Sequence, residues 1–342
     1  MKEEKSPFEG GVWDFWEHGV SQSFIQLFRS CKEQTRLAFV EGWTSRKSSL
    51  ALDFGTCCHV ALSELHGKKK VPTVNQIDRA IDVFEKDWKR EYPKPTTKQT
   101  EEIHHVMALA KPVLEAYVKR YAGDWGGKYP FRNKTVVPAT WLHLESRFRV
   151  PFEFEDGKIV WLNGRFDGGF EDNRKIARKW LFETKTKAMI QEDIIVDLLP
   201  LDVQVMLYLW ALWKTEGVRP TGVLYNVIRR PGLRQGKAEQ FVDFIKRVRE
   251  DVFKPARQDH YFIRWELQIT KKELEVWERT QLRPMLEEIR LWWEGKSPHY
   301  LNESALVAKY GRCSLYEPIV NGNFNDCFQR EHPFNELVDF GG

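Results

Sequence analysis

The sequence predicts an α/β fold, with a core of strands and helices at residues 140–270 and further helical segments on both sides of it. Two observations carry that expectation. Up to residue 139 the apolar side chains recur at helical spacing, and from Thr140 onward several stretches switch to the two-residue alternation of strands. The resulting order is helices, three strands, a helix, a strand and a helix, closed by a short strand and a long charged helix.

The elements follow in chain order. Residues 1 to about 20 are polar and read as a loose arm; Trp13, Phe15 and Trp16 within it either stack on bases or pack on the core. Ser21 caps a helix reaching about Gly42, with Phe24, Ile25, Leu27, Phe28, Leu37 and Phe39 as its apolar face. A second helix starts near Asp53, carries Cys57, Cys58, Val60, Ala61, Leu62 and Leu65 past His59, and ends at Lys68-Lys69-Lys70, whose charge suits a helix C-terminus. Helices are expected near 74–91 and 97–122, separated by Pro93 and Pro95. Strands follow at 141–150, 159–170 and 176–185, the last two joined by the polar turn Glu171-Asp172-Asn173-Arg174-Lys175. A strongly apolar helix spans 201–216, and then come a strand at 221–229, a helix at 239–253, a strand at 261–269 and a helix at 271–294. Residues 1–139 thus form an arm and helical region, 140–270 the core, and 271–342 a C-terminal helix and tail, expected as one compact unit.

Composition bounds the chemistry. The 342 residues carry a formal net charge of only +4, so total charge does not single out nucleic acid. No run approaches a transmembrane span and Met1-Lys2-Glu3-Glu4-Lys5 opens without an apolar leader, so a cytoplasmic protein with no membrane partner is expected. Five cysteines, an odd number, argue against a disulfide framework, and without a Cys-x-x-Cys pair no zinc ribbon is expected.

Asp167, Glu183 and Lys185 carry the chemistry. Side chains two apart in a strand share a face, so Glu183 and Lys185 point one way and Thr184 the other. A hairpin brings Asp167 near Glu183. Two carboxylates beside an ammonium suit hydrolysis of a phosphodiester: the carboxylates hold a hard cation such as Mg²⁺ or Mn²⁺, and the lysine orients or activates the attacking water. Asp167 has a bland reading, capping the turn at Gly168-Gly169. Glu183 and Lys185 have another, as a surface pair, but Trp180, Leu181 and Phe182 make their strand look buried, where unpaired charge is costly. His59 is either a satisfied core histidine or a ligand, and a neutral imidazole suits Mn²⁺ better than Mg²⁺. Gln204 and Tyr208, four apart, share a face of an otherwise apolar helix. The basic stretch from Arg229 and Arg230 to Lys237 either binds backbone phosphate or is a solvated loop.

Taken in order, Gly55-Thr56-Cys57-Cys58-His59, Gly164-Arg165-Phe166-Asp167, Glu183-Thr184-Lys185 and Gln204-Val205-Met206-Leu207-Tyr208 resemble the motifs of PD-(D/E)XK nucleases, and among them the RecB-like exonucleases. Each motif is weak alone; the ordered set, spanning residues 55–208, is specific. The resemblance implies a restriction-endonuclease-like core, a mixed central sheet flanked by helices. It implies a metal-dependent deoxyribonuclease with Asp167, Glu183 and Lys185 catalytic, and with His59, Asp167, Glu183 and the Thr184 carbonyl as ligands of Mg²⁺ or Mn²⁺. Gln204 and Tyr208 would face the site, contacting DNA or orienting the lysine, and Glu145 would be the acidic residue of the first core strand, structural or behind the ligands. Attack would break the P–O3′ bond and leave a 5′-phosphate. A stand-alone relative of this kind looks like a phage recombination or DNA-degradation enzyme, or a CRISPR-associated or repair nuclease, in a prokaryotic or phage-infected cell. With no P-loop of its own, it would rely on a helicase for translocation; a recombinase, a single-strand-binding protein or further copies of the chain are other partners of this setting. An endonuclease on the same fold and a non-catalytic DNA-binding subunit are the alternatives. The cysteines depart from the pattern. Many RecB-like relatives hold an iron–sulfur cluster with one cysteine before the core and three after it, whereas here Cys31 precedes it and only Cys313 and Cys327 follow, so no cluster is expected. The Cys313–Cys327 segment would then hold the tail to the N-terminal helix by packing alone.

Overall fold

The computed structural model describes residues 8, 10–45, 50–126, 128–130, 136–172, 178–190, 195, 197–308, 311–330, 332–334 and 337, with side chains omitted at 126–138 and 308. The polar turn expected after Asp172 falls at 173–175, outside the described residues. Its flanking strands are described and pair.

The centre is a seven-stranded mixed sheet. Strands β3 (Lys128–Pro130), β4 (Val136–Glu153), β5 (Ile159–Asp172), β6 (Arg178–Lys187), β7 (Gly222–Arg229) and β8 (Phe262–Gln268) lie side by side in sequence order, and β1 (Val20–Ser21) adds to β5. Only β6–β7 and β1–β5 are parallel. The β6–β7 link is therefore a crossover, and it contains helix α5 (Val203–Glu216), whose Asp202 side chain caps the Val205 N–H at 3.0 Å. The remaining β2 (Trp43–Ser45) lies outside this sheet and pairs with Cys327–Gln329.

Strand alternation sends two sets of side chains to two cores. Phe148, Phe152, Leu162, Phe166, Leu181 and Val223 pack against α1 (Gln22–Ser30), α5, α7 (Lys271–Trp277) and α8 (Arg283–Trp293). The opposite face is covered by α2 (Leu50–His66), α3 (Val74–Glu91), α4 (Thr97–Arg120) and α6 (Phe241–Phe253), which share a core with Ile228 and Phe262. Capping boxes at Thr73 and Thr96 start α3 and α4.

Several expectations need correction. The segment before Val20 is not a loose arm where it is described: Trp13 and Phe15 are fully buried, and Trp13 donates to the Gly19 carbonyl at 2.8 Å. The helix expected from Ser21 to Gly42 breaks at Cys31, whose backbone is extended, and resumes as Lys32–Thr35 and a π-turn at Arg36–Val40. Helix α2 begins by Leu50 and ends at His66, short of the three lysines. The long C-terminal helix contains a π-turn at Glu278–Leu282, just before Pro284, whose missing N–H cannot continue the α pattern.

Candidate active site

The site forms where the sheet splits. Strands β5 and β6 pair only from Asp172↔Arg178 to Gly168↔Phe182. Beyond that point they separate, and β1 takes the neighbouring place on β5 at Leu162 and Asn163. The split leaves the Thr184 N–H without a strand partner on β5, and the Asp167 carboxylate accepts it at 2.8 Å. Asp167 is therefore fixed at the fork.

On the α5 side of the fork, Glu183, Lys185 and Gln204 close a triangle. Lys185 Nζ lies 2.6 Å from Glu183 Oε1 and donates to Gln204 Oε1 at 2.7 Å, while Gln204 Nε2 donates to Glu183 Oε1 at 2.8 Å. Glu183 is fully buried, and its second oxygen, Oε2, has no hydrogen-bond partner among the described residues. Leaving a buried carboxylate oxygen bare is costly unless a cation satisfies it.

On the α2 side stand His59, Glu145 and Asp167. One potential ligand atom from each lies within 4.8 Å of the others. His59 Nδ1 is 3.5 Å from Asp167 Oδ1. Glu145 sits in β4 between the pairs Leu144↔Gly168 and Ser146↔Phe166, opposite Asp167. Its φ of 46° is the one positive value at a non-glycine among the described residues. A left-handed backbone at a long acidic residue is unfavourable, and such outliers concentrate at functional sites.

Two glycines of the motifs have steric reasons. A Cβ at Gly164 would run into the Phe148 ring and come within 3.2 Å of Tyr208, and a Cβ at Gly55 would stand 2.9 Å from Thr186 Oγ1, so α2 could not lie as close to β6.

The electrostatics separate the carboxylates. Burial works against the Asp167 carboxylate, but the His59 and Lys185 charges and the Thr184 N–H outweigh it and hold its pKa below the ordinary value. Burial together with the Asp167 charge pushes Glu183 up to about 7 despite Lys185. Burial and Asp167 push Glu145 up to about 7 as well, against Arg165, whose Nε is 3.1 Å from its carboxylate. Burial lowers the His59 and Lys185 pKa values, yet the neighbouring carboxylates more than offset this and leave both raised. This donor set, the His59 imidazole and the Asp167 carboxylate beside the strained Glu145 and the orphaned Glu183 oxygen, fits a divalent cation.

The remaining expected positions lie as follows. Gln204 is hydrogen-bonded to both Lys185 and Glu183. Tyr208, expected to face the site and contact DNA or orient the lysine, is 7% exposed, packs edge-on to Phe148 and Phe166, and bonds to Gln204 and to the Arg165 backbone. Arg229 is occupied by the Ala188 carbonyl at 3.1 Å and by His260 Nδ1 at 3.0 Å, which leaves Arg230 as the more available of the two. Glu145, expected to be structural or to stand behind the ligands, lies among the candidate ligands themselves. Cys57 and Cys58 are core residues; Cys327 is buried with Leu37 and Leu315, and Cys313 packs on that cluster.

One network gave no sequence signal. Arg264 of β8 donates to Asn226 Oδ1 at 3.0 Å, to both Asp124 oxygens at 2.9 and 2.6 Å, and to the Tyr117 hydroxyl at 2.8 Å. Asn226 Nδ2 in turn donates to Thr184 Oγ1 at 3.2 Å. The helical layer is thereby tied to the residue between Glu183 and Lys185.

A family model described as the PD-(D/E)XK nuclease superfamily matches residues 19–299, which includes every residue of the site. The chain belongs to that superfamily. No curated protein matches it. The mixed sheet flanked by helices is the fold of the superfamily, whose members are nucleases that use divalent metals. Among the described residues, no helix is long and apolar enough to cross a membrane.

Proposed function

We propose that the protein is a divalent-metal-dependent DNA exonuclease of the RecB-like kind, acting in recombination, repair or degradation of DNA in a prokaryotic or phage-infected cell. The observation that carries this reading is the meeting of two groups at one fork in the sheet: His59, Glu145 and Asp167 from one side, and Glu183, Lys185 and Gln204 from the other. His59, Asp167 and Glu183 would hold Mg²⁺ or Mn²⁺ together with the Thr184 carbonyl, and Glu145 joins that set. A divalent cation in that place supplies Lewis acidity toward the scissile phosphate. Lys185, locked by Glu183 and Gln204, positions the attacking water and offsets the charge that builds on the phosphate. Gln204 and Tyr208 hold the lysine and the β5 backbone in register. Arg230 reaches the DNA backbone.

End-labelled linear DNA and closed circular DNA, incubated with Mg²⁺, Mn²⁺ or EDTA, test the reading. Loss of label from the linear form alone, requiring either metal, is the expected result. Cutting of the closed circle would identify an endonuclease, and no metal-dependent cutting of either would refute the assignment.

A further inference from the structure

The face of the sheet that carries Glu145 and Asp167 continues past them. Phe148 and Phe166 point into the α5-side core, so the adjacent Arg147 and Arg165 point the other way, toward the acidic cluster, where Arg165 meets Glu145. Arg147 and Arg165 are register partners. Both are exposed, Arg165 with 45% of its side chain accessible. Like charges directly opposite each other on one face of an antiparallel pair are destabilising. Arg165 is partly relieved by Glu145, at 3.1 Å. Arg147 has no ion-pair partner among the described residues. Glu145 is the same carboxylate that stands within ligand distance of His59 and Asp167. When it turns to a cation, both guanidinium groups are left facing solvent without a counter-charge.

We propose that Arg147 and Arg165 form a phosphate-binding subsite that grips the backbone phosphate next to the scissile one, so that the substrate strand runs along the exposed face of the β4–β5 hairpin. The inference rests on the nuclease reading of the fork. Two residues along a strand advance about 6.6 Å, the scale of one step of an extended nucleotide chain. Guanidinium groups match phosphate with paired donors. Arg165 is well held for this work, because Tyr208 bonds to its backbone and Gly164 lets that tyrosine approach.

Arg147→Ala is the clean probe, since Arg165→Ala also frees Glu145. Binding of a labelled single-stranded oligodeoxynucleotide is measured in EDTA over a range of KCl concentrations, and the half-saturating enzyme concentration is measured in single-turnover cleavage of trace DNA with Mg²⁺. Arg147→Ala is expected to weaken both about tenfold and to lower the slope of log Kd against log salt by about 0.7, the share of one phosphate contact on a single strand. Its plateau cleavage rate stays near wild type and its melting temperature does not fall, because a like-charge neighbour has been removed. Arg147→Lys restores the slope, and Arg79→Ala, at an exposed position on α3, changes neither quantity. Wild-type affinity and slope in Arg147→Ala, with cleavage intact, would overturn the subsite and leave the nuclease reading standing. A wild-type protein that neither binds the oligonucleotide in a salt-dependent way nor cleaves it, and that leaves the end-labelled linear DNA intact as well, would overturn both.

Discussion

Lys185 is held by two acceptors, Glu183 Oε1 and Gln204 Oε1, and under the proposed nuclease reading a lysine so tethered would contribute to chemistry more than to binding. Lys185→Ala is expected to bind Mn²⁺ and DNA nearly as well as wild type and to cut slower by about 10²–10⁴ in single-turnover assays, the usual cost of losing a positioned proton-transfer or charge-stabilising group. A wild-type single-turnover rate would show that the catalytic centre lies elsewhere. Glu145 offers a different test, because its left-handed backbone costs about 1–2 kcal/mol that glycine does not incur. Glu145→Gly should therefore melt above Glu145→Ala, while both lose activity. Equal melting of the two would show that the backbone there is not strained. His66 is one source of acid sensitivity. Burial, reinforced by Arg264 and only partly opposed by Asp124, pushes its imidazole down to about 4. An unfolded histidine titrates near 6.5. Between those values the unfolded chain binds a proton that the folded chain refuses, so stability falls as pH drops from about 6.5 to about 4, by about 3 kcal/mol in all. His66→Phe should lose less stability than wild type between pH 7 and pH 4.5 in thermal melts; parallel losses would exclude this histidine as the cause.

At the scale of elements, the motif strands were legible because their chemistry sits on period-two segments flanked by Trp180, Leu181 and Phe182. The alternation placed Glu183 and Lys185 on one face, where the structure has them. Glu145 was harder to place. Its role depends on a register shift between Trp141 and His143 and on a positive φ, neither of which leaves a mark in residue type. The Arg264 network was silent for a related reason: its members come from α4, the turn after it, β7 and β8, and only the folded chain brings Asp124, Asn226 and Tyr117 to one guanidinium. The break of the first helix at Cys31 lacks a proline or glycine, so propensity could not announce it. Gly164, by contrast, was legible as a motif residue, and its steric reason yields a prediction. Gly164→Ala forces a methyl against Phe148 and Tyr208 and should cost about 1–3 kcal/mol of stability, with activity falling because Arg165 and Asp167 shift with β5. An unchanged melting temperature would mean that the aromatic pair can yield.

At the scale of the whole molecule, two cores on opposite faces of one sheet meet at the fork, and the segments outside residues 140–270 are part of that assembly. The N-terminal Val20 and Ser21 complete the gap beside β5, and Cys327–Gln329 pairs with β2. The fork gathers carboxylates that resist ionising together, with Glu145 and Glu183 both near 7. A divalent cation held by these residues would displace those protons, so Mn²⁺ affinity should rise from pH 6 to pH 8, and saturating Mn²⁺ should raise the melting temperature of wild type and not of Asp167→Ala. Calorimetric titration at the two pH values checks this. Equal binding by the variant would remove Asp167 from the ligand set.

The fork also makes a built-in sensor. Where the ladder between β5 and β6 stops, the Thr184 amide proton is held by the Asp167 carboxylate and not by a strand carbonyl. Its rate of exchange with deuterated water therefore reports on one side chain rather than on the opening of the sheet. Asp167→Asn keeps an acceptor oxygen and should leave that amide slow to exchange, whereas Asp167→Ala should quicken it while the amides of Trp180 and Phe182 keep their protection. A single backbone resonance, followed by NMR, would thus read the state of the candidate site without any substrate present.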